Sequence, residues 1–275
     1  MKRSVHILTL FLSGLILLCA CTAKQPTEQI SEEAVTLTQE QRSILKRTIQ
    51  ARNEKAPYTF GTIGMIRYLE LKGQHMRMFV DVCQHFYNIK KIKENPEVIK
   101  TTLKDNLGIL DDSLDPLFYI LAEYRIGLRI ELGHENDEEV MDVYFTPEEL
   151  MELSRTKQRD VKPSQILKNH AAAYNLSLPE LVYPRATLNQ VEVNSKDIIY
   201  HFTIEESDHH EMHRIRAGKM LWGAKILKQL KESKDSGVRE VMRICRQAKR
   251  SFAYRFTGDK TGIQVTINFH LEPDV

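Results

Sequence analysis

Hydrophobic and polar residues alternate in short runs along the chain, and these runs predict β-strands. A period of two residues is typical of a strand that packs one face on a core and leaves the other in polar surroundings. Residues 66–71 and 76–82 alternate in this way on either side of a turn at 72–75, so they predict a β-hairpin. A second hairpin is predicted where 125–132 meets 139–145.

Helical spacing precedes the first hairpin and separates it from the second. Apolar residues three and four positions apart predict an opening helix over 39–53, where Thr38 and Gln41 suit a capping box. Two more helices are predicted to start at the Asn-Pro pair 95–96 and at the Asp-Pro pair 115–116. Asn or Asp caps a helix well, and proline fits the first helical position.

The same order of elements occurs twice in the chain. A shift of 122 positions superimposes the pattern of residues 44–82 on a second copy without a gap. Asn53 and Pro57 then fall on Asn175 and Pro179. Towards the end of each copy the shift becomes 124. A shared order of elements over so long a stretch indicates an internal duplication.

Each copy therefore predicts the order α-β-β-α-α-β-β. The second copy has its opening helix at 165–176 and its hairpins within 188–204 and 252–271. We expect an α+β fold with two tandem duplicated modules, each a four-stranded antiparallel sheet covered by helices on one face. The expected boundaries are 36–156 for module 1 and 163–275 for module 2.

The N-terminus has the pattern of an export signal. Lys2 and Arg3 precede a mostly apolar run at 5–18, which is too short to cross a hydrocarbon core of about 30 Å. We therefore interpret residues 1–20 as a secretory signal peptide. The run ends in Leu-Cys-Ala-Cys at 18–21, and this ending resembles the lipobox of bacterial lipoproteins.

That resemblance implies a lipid anchor and a location in the cell envelope. It implies that Cys21 receives a diacylglyceryl group on its sulfur, becomes the new N-terminus and gains an amide-linked acyl chain such as palmitate. No other cofactor is expected. Residues 21–35 are polar, so we expect a flexible tether between membrane and module 1. Thr22 after the cysteine favours the outer over the inner membrane, by analogy with enteric bacteria.

Charge argues against one class of function. Without the signal peptide the chain has 37 basic and 37 acidic residues, so a globally basic nucleic-acid binder is not indicated. The charge is uneven, because residues 21–160 have 19 basic and 24 acidic side chains, whereas residues 161–275 have 18 and 13. This asymmetry fits either two solvated surfaces or an envelope scaffold that assembles head to tail.

Once the expected signal peptide with Cys19 is removed, two cysteines remain besides Cys21. Cys83 and Cys245 do not make a disulfide framework in a chain of this size, and whether they pair is left open. Cys245 lies on an apolar helical stripe, where a thiol behaves as a small hydrophobe. Trp222 is interpreted as a core residue.

A histidine-rich segment at 205–213 is the first candidate site. Its potential metal ligands are His209, His210, His213 and Glu206. Imidazoles one helical turn apart bind zinc or copper, and zinc here would favour a metal-dependent hydrolase. However, the spacing is one residue short of the zinc-protease pattern His-Glu-x-x-His. The alternative is a helix start, with Asp208 and Glu211 as a capping box.

A basic helix near the C-terminus is the second candidate site, for an anion or a protein partner. Its cationic side chains are Arg239, Arg243, Arg246, Lys249 and Arg250. Spacings of three and four place them on one stripe that could hold phosphate, lipid headgroups or an acidic protein. The alternative is the solvated face of an amphipathic helix.

Motifs of catalysis do not add to these candidates. The sequence contains neither a Gly-x-Ser-x-Gly elbow nor a phosphate-binding glycine loop. We therefore expect a non-enzymatic, membrane-anchored envelope lipoprotein whose modules offer a surface or an intervening groove to an envelope protein or surface ligand. The metal-dependent hydrolase and the envelope scaffold are the alternatives.

Overall fold

The structure is a computed structural model of the 275-residue chain. It describes residues 37–83, 86–108, 115–134, 139–155, 162–269 and 271. The expected signal peptide, the lipid site Cys21, the tether 21–35 and most of the linker between the modules lie outside the described residues.

Module 1 is built around a five-stranded sheet. Its elements are α1 (Gln39–Asn53), β1 (Tyr58–Phe60), β2 (Gly64–Lys72), β3 (His75–Val82), α2 (Ile89–Ile92), α3 (Pro96–Gly108), α4 (Asp115–Glu123), β4 (Gly127–Gly133), β5 (Met141–Phe145) and α5 (Pro147–Arg155). The strands lie in the order β1-β2-β3-β4-β5. Thr38 and Gln41 form the predicted capping box at the start of α1.

Module 2 repeats this plan. Its elements are α6 (Pro163–Asn175), β6 (Glu180–Tyr183), β7 (Ala186–Val193), β8 (Asp197–Ile204), α7 (Glu211–Ala217), α8 (Lys219–Lys231), α9 (Ser236–Gln247), β9 (Ser251–Gly258) and β10 (Gln264–Phe269). The sheet order is β10-β9-β8-β7-β6. The α+β class and the two tandem modules are therefore as predicted.

The same side-chain clip ties the opening helix to the sheet in both modules. Asn53 donates its side-chain amide to the Leu69 carbonyl at 2.9 Å and accepts from the Leu69 amide at 2.8 Å. Asn175 makes the same pair of bonds to Val191, at 2.9 and 2.7 Å. Both Asn residues and both strand residues are 122 positions apart, which supports the duplication.

Irregular backbone recurs at matching positions as well. β2 has a bulge between Ile66 and Tyr68, and β7 has one between Leu188 and Gln190. After α4 and α9 the chain turns through a left-handed residue, at φ 54° and φ 53° respectively. The next amide returns to a helix carbonyl at 2.8 and 2.9 Å, which is a helix-ending bond of the Schellman type. The peptide bonds that precede Pro57 and Pro179 are cis.

Two details of the predicted sheets are wrong. Each sheet has five strands, because a short edge strand, β1 or β6, precedes the hairpin. Runs of three and four residues are too short for alternation to mark them. The sheets are also not purely antiparallel, since β3–β4 and β8–β9 pair in parallel. The helices between these strands carry the chain back across the sheet, and such a crossover brings two strands together in the same direction.

The core is continuous across the two modules. α6 of module 2 packs against both α3 and α9, and the buried cluster includes side chains from both sheets. Buried Tyr87 and His170 hydrogen-bond across the junction, with 3.0 Å between Oη and Nδ1. The segment 34–275 is one compact unit and contains its own hydrophobic core.

Neither Cys83 nor Cys245 forms a disulfide, and both side chains are buried. The Cys83 thiol lies 3.1 and 3.2 Å from the Asp235 carboxylate oxygens. Burial raises the pKa of Cys245 to about 12, which fits its expected role as a small apolar group. Within the described ranges, no helix has the length and hydropathy required to span a bilayer.

Candidate functional site

Helix α8 packs far less tightly than its counterpart in module 1. None of its side chains is buried. α3 stands at the same place in the order of elements and buries five residues: Ile99, Thr102, Leu103, Asn106 and Leu107. α8 approaches β10 closely at Gly223, where an added Cβ would lie 3.0 Å from Ile267 Cγ2. Because α8 touches the sheet closely at Gly223 but buries no side chain, space remains between the rest of the helix and the sheet.

That space is a cavity of about 310 Å³ between α7, α8 and the inner face of the second sheet. Its apolar lining includes Tyr183, Ala186, Phe202, Ile204, Ile215, Trp222, Ile226, Tyr254 and Phe256. Its polar lining is formed by Arg185, Glu211, Lys225 and Gln229. A mostly apolar cavity of this volume with a few polar groups has the character of a small-molecule site. We call it the module 2 cleft.

The floor of the module 2 cleft is aromatic because of the strand register. The parallel pairing of β8 and β9 places Phe202 beside Phe256, and their rings stack at 5.3 Å. Tyr254 lies 5.0 Å from Phe202 and 5.3 Å from Phe269, measured between ring centroids. The shifts of 122 and 124 put Val80, Ile130 and Leu132 at the positions of Phe202, Tyr254 and Phe256, so these three rings belong to module 2 alone.

One edge of the cleft carries a fixed ion pair. Arg185 Nη2 lies 2.6 Å from Glu211 Oε2, and the Ser207 amide donates to the same carboxylate at 2.5 Å. The bond from Ser207, together with Arg185, lowers the pKa of Glu211 to about 2 against the effect of burial. Arg185 has φ 72° and is held in this conformation through the bond from the Glu205 amide to its carbonyl, at 2.9 Å.

A second cation of the lining is not neutralised in this way. Lys225 is exposed at the cleft and has no ion-pair partner among the residues with described positions. Since Arg185 is already paired, Lys225 is the group best placed to meet an anion that enters the cleft.

Large apolar side chains are also exposed on α8 and β6, the elements that contribute Trp222 and Tyr183 to the cleft lining. On α8, Met220 is 90 %, Leu221 is 76 % and Trp222 is 50 % exposed. On the edge strand β6, Leu181 is 68 % and Tyr183 is 53 % exposed. Large exposed apolar side chains commonly mark a surface that binds a partner, a membrane or a ligand. The interpretation of Trp222 as a core residue is therefore wrong, because half of its side chain is exposed.

Glu206 is separated from the histidines that were predicted to share a metal with it. Its carboxylate turns into the β9–β10 turn and accepts from the Lys260 amide at 2.9 Å, from the Thr261 amide at 2.8 Å and from Thr261 Oγ1 at 2.9 Å. Burial raises the pKa of Glu206, but these donors outweigh burial and hold the pKa below its usual range. Gly258 makes room for this carboxylate, since a Cβ there would lie 2.5 Å from Glu206 Oε2.

The three histidines at the start of α7 are solvated. His209, His210 and His213 are all exposed, and the rings of His210 and His213 are 6.5 Å apart. In the part of the chain that the structure describes, no group of three or more His, Cys, Asp or Glu side chains is arranged to hold a metal ion. The residues of the zinc hypothesis are thus not assembled into one site.

The helix-start alternative is close to the observed structure but not identical to it. α7 begins at Glu211, and Asp208 accepts from the His210 amide at 2.7 Å and from Arg214 at 2.9 and 3.1 Å. The bonds from Arg214 and His210 lower the pKa of Asp208 to about 2. Glu211 binds Ser207 and Arg185, so the predicted reciprocal box between Asp208 and Glu211 does not form.

The predicted basic stripe of α9 is divided among several environments. Arg243 pairs with Glu240 at 2.7 and 2.5 Å, whereas Arg239 and Lys249 are exposed. Arg246 and Arg250 are half-buried, and Nε and Nη1 of Arg250 have no hydrogen-bond partner among the described residues. The opposite face of α9 is buried as expected of an amphipathic helix.

A hollow also lies at the junction of the modules, where a groove had been expected. Its volume is about 610 Å³, and polar residues predominate in its lining. Lys91 Nζ donates to the Ser177 carbonyl at 2.8 Å, and the Asn88 amide donates to Ser177 Oγ at 2.8 Å. These polar groups join the modules, so the module 2 cleft is the better candidate for ligand binding.

Comparison with known proteins gives no assignment. No family model matches the chain, and no curated protein matches it. Among solved structures, a Pseudomonas aeruginosa protein described as secreted is 18 % identical, with a TM-score of 0.33. The alignment covers 40 % of this chain and 91 % of that one. A likeness of this degree carries no argument about either fold or function.

Proposed function

We propose that this chain is a cell-envelope lipoprotein with a binding role, anchored through acyl chains on Cys21. Its ligand has an apolar chain that enters the module 2 cleft and an anionic group that remains at the mouth. The observation that carries this proposal is the apolar cavity of about 310 Å³ beneath a helix with no buried side chain. Cavities of roughly 300–1,000 Å³ with this kind of lining are typical of ligand sites.

The aromatic floor supports a preformed site for an apolar chain. Phe202, Tyr254 and Phe256 are held by their mutual ring contacts and by the strands beneath them. A chain that enters the cleft displaces water from these rings, and burial of apolar surface contributes about 25 cal/mol per Å². Because the rings are already ordered, little side-chain entropy is lost on binding.

Lys225 supports an anionic head on that ligand. Its ammonium group has no ion-pair partner among the residues described here, whereas the other cation of the lining, Arg185, is paired with Glu211. A fatty acid is the simplest molecule with both required parts, an acyl chain and a carboxylate.

Titration with dodecanoate tests the cleft directly, because Trp222 lines it and is the only tryptophan of the chain. We expect saturable binding with a change in Trp222 emission. Ala186→Leu adds three carbons to the cleft lining and should weaken binding by about tenfold or more. The matched control is Ala224→Leu, on the exposed side of α8, which should bind as the parent does. Equal affinity of parent and Ala186→Leu, with both folded, would overturn the proposal.

The anchor has a separate test. The lipobox resemblance supports it, and Cys21 lies outside the described residues. Mass spectrometry of protein purified from membranes should find an N-terminal peptide that begins at Cys21 and has the added mass of a diacylglyceryl group and an acyl chain. An unacylated N-terminus would refute the anchor and leave the cleft proposal standing.

A further inference from the structure

The first turn of α8 projects apolar side chains away from the protein. Met220 and Leu221 are the most exposed large apolar residues among those described, and they are followed by Trp222, which is half exposed. None of the three lies in a shared apolar cluster of the core. Exposure of large apolar side chains to water is unfavourable, so this turn is expected to be buried against a protein or a membrane.

The surroundings of this turn are strongly basic. Residues 211–234 contain seven Lys or Arg and two Glu. Glu211 is paired with Arg185, and Glu232 lies 3.8 Å from Lys228. Lys219, Lys225 and Lys231 have no ion-pair partner among the residues whose positions are described. A partner surface that fits α8 therefore has an apolar interior for the protruding side chains and negative charges on its outside for the lysines.

We propose that the first turn of α8 inserts into the surface of an anionic lipid bilayer, as a contact additional to the lipid anchor. A bilayer offers the required order of environments, with phosphate headgroups outside and hydrocarbon beneath. Exposed Leu and Trp side chains on a Lys-rich helix bind at this interface. Each Lys near an anionic leaflet adds attraction that salt screens.

The shape of the surface favours a bilayer over an acidic protein. Met220 and Leu221 protrude from the protein, so a protein partner would need a matching apolar pocket that is ringed with acidic residues. A bilayer accepts protruding apolar side chains without a preformed pocket. The inference is independent of what the module 2 cleft binds, although an inserted first turn would place the mouth of the cleft at the membrane.

The test uses residues 34–275, the compact unit with its own core, so that no acyl anchor contributes. Sedimentation with vesicles of phosphatidylglycerol and phosphatidylcholine in equal parts should remove this protein from solution and shift Trp222 emission to the blue. Vesicles of phosphatidylcholine alone, or high salt, should bind it at least about tenfold more weakly.

Two matched variants separate insertion from simple charge attraction. Met220→Ser combined with Leu221→Ser should weaken binding to anionic vesicles by about tenfold or more. Tyr119→Ser, which removes a side chain of α4 that is 52 % exposed, should leave binding unchanged. If the double variant binds as the parent does, or if the parent does not bind anionic vesicles, the proposal is wrong. Equal binding by the double variant would instead show that charge attraction alone holds the protein at the vesicle surface.

The two proposals fail separately. Ala186→Leu should lose dodecanoate binding and keep vesicle binding, since it changes the cleft and not the protruding turn. The double serine variant should keep dodecanoate binding and lose vesicle binding. A variant pattern in which both activities are always lost together would contradict the separation of the two surfaces.

Discussion

At the scale of single residues, two buried titratable side chains show how the fold offsets the cost of removing a polar group from water. Glu206 and His170 are both nearly inaccessible to water, but one is buried as a charged group and the other as a neutral group. Glu206 stays charged because its carboxylate accepts three hydrogen bonds, from the Lys260 amide, the Thr261 amide and Thr261 Oγ1. His170 stays neutral because burial lowers its pKa to about 3.

Replacing Glu206 should destabilise the protein, because its carboxylate organises the β9–β10 turn. We expect Glu206→Gln to lower the free energy of unfolding by about 1–3 kcal/mol, since the amide has one acceptor oxygen where the carboxylate has two. Urea denaturation at neutral pH measures the change. The neighbour Glu205 is exposed, and Glu205→Gln is the control that should leave stability unchanged. Equal stability of the two variants would show that the turn does not depend on Glu206.

His170 should make stability depend on pH below neutrality. Its pKa is about 3 in the folded protein and 6.5 without burial, so between these values the unfolded chain binds one proton more than the native state. This contribution to stability is therefore complete above pH 6.5 and is lost progressively as the pH falls towards 3.

Urea denaturation across that range measures the effect. His170→Gln should flatten the pH dependence by up to one proton, and His209→Gln, at an exposed position, is the matched control. An unchanged slope in His170→Gln would show that His170 does not titrate as its burial requires.

At the scale of elements, the duplication can be tested as a physical equivalence. Asn53 and Asn175 each make two hydrogen bonds to one strand residue. We expect Asn53→Ala and Asn175→Ala each to cost about 1–3 kcal/mol, since each leaves the same two backbone groups without their partner. The two losses in free energy of unfolding should agree within about 1 kcal/mol. A cost at one site and none at the other would show that the clips are not equivalent.

Local patterns predicted the helix starts, the hairpins and the repeat, because these depend on neighbours in sequence. Thr38 and Gln41 form the predicted capping box, and Asn53 and Asn175, which the shift of 122 aligns, make the same two bonds. Strands β1 and β6 were missed because three or four residues show no clear period. Parallel pairing was missed because strand order depends on how helices far apart in sequence pack.

The module 2 cleft was not predictable from local patterns either. Trp222 and Ile226 have the same spacing as core residues of a helix, yet Trp222 is 50 % exposed and Ile226 is only half-buried. The feature of the sequence that pointed to an exposed α8 was three consecutive large apolar residues, 220–222, in a segment with many lysines. The candidate metal residues failed for a related reason, since the turn at Thr261 draws Glu206 away from the histidines.

At the scale of the whole molecule, the two modules should unfold together. Their sheets share one core, and Tyr87, Asn88 and Lys91 of module 1 bond to module 2 through His170 and Ser177. Calorimetry of residues 34–275 should show a single transition whose calorimetric and van't Hoff enthalpies agree. Two separated transitions would show that the modules are independent domains.

An apolar ligand in the module 2 cleft would lie beside Trp222, so quenching of Trp222 by a brominated fatty acid reports directly on its entry. A bromine atom quenches tryptophan only on close approach, so dodecanoate brominated on its chain should quench Trp222 in proportion to occupancy. Unlabelled dodecanoate should reverse the quenching, and Ala186→Leu should prevent it. Saturable binding of the brominated ligand with undiminished Trp222 emission would place the ligand elsewhere and contradict the account.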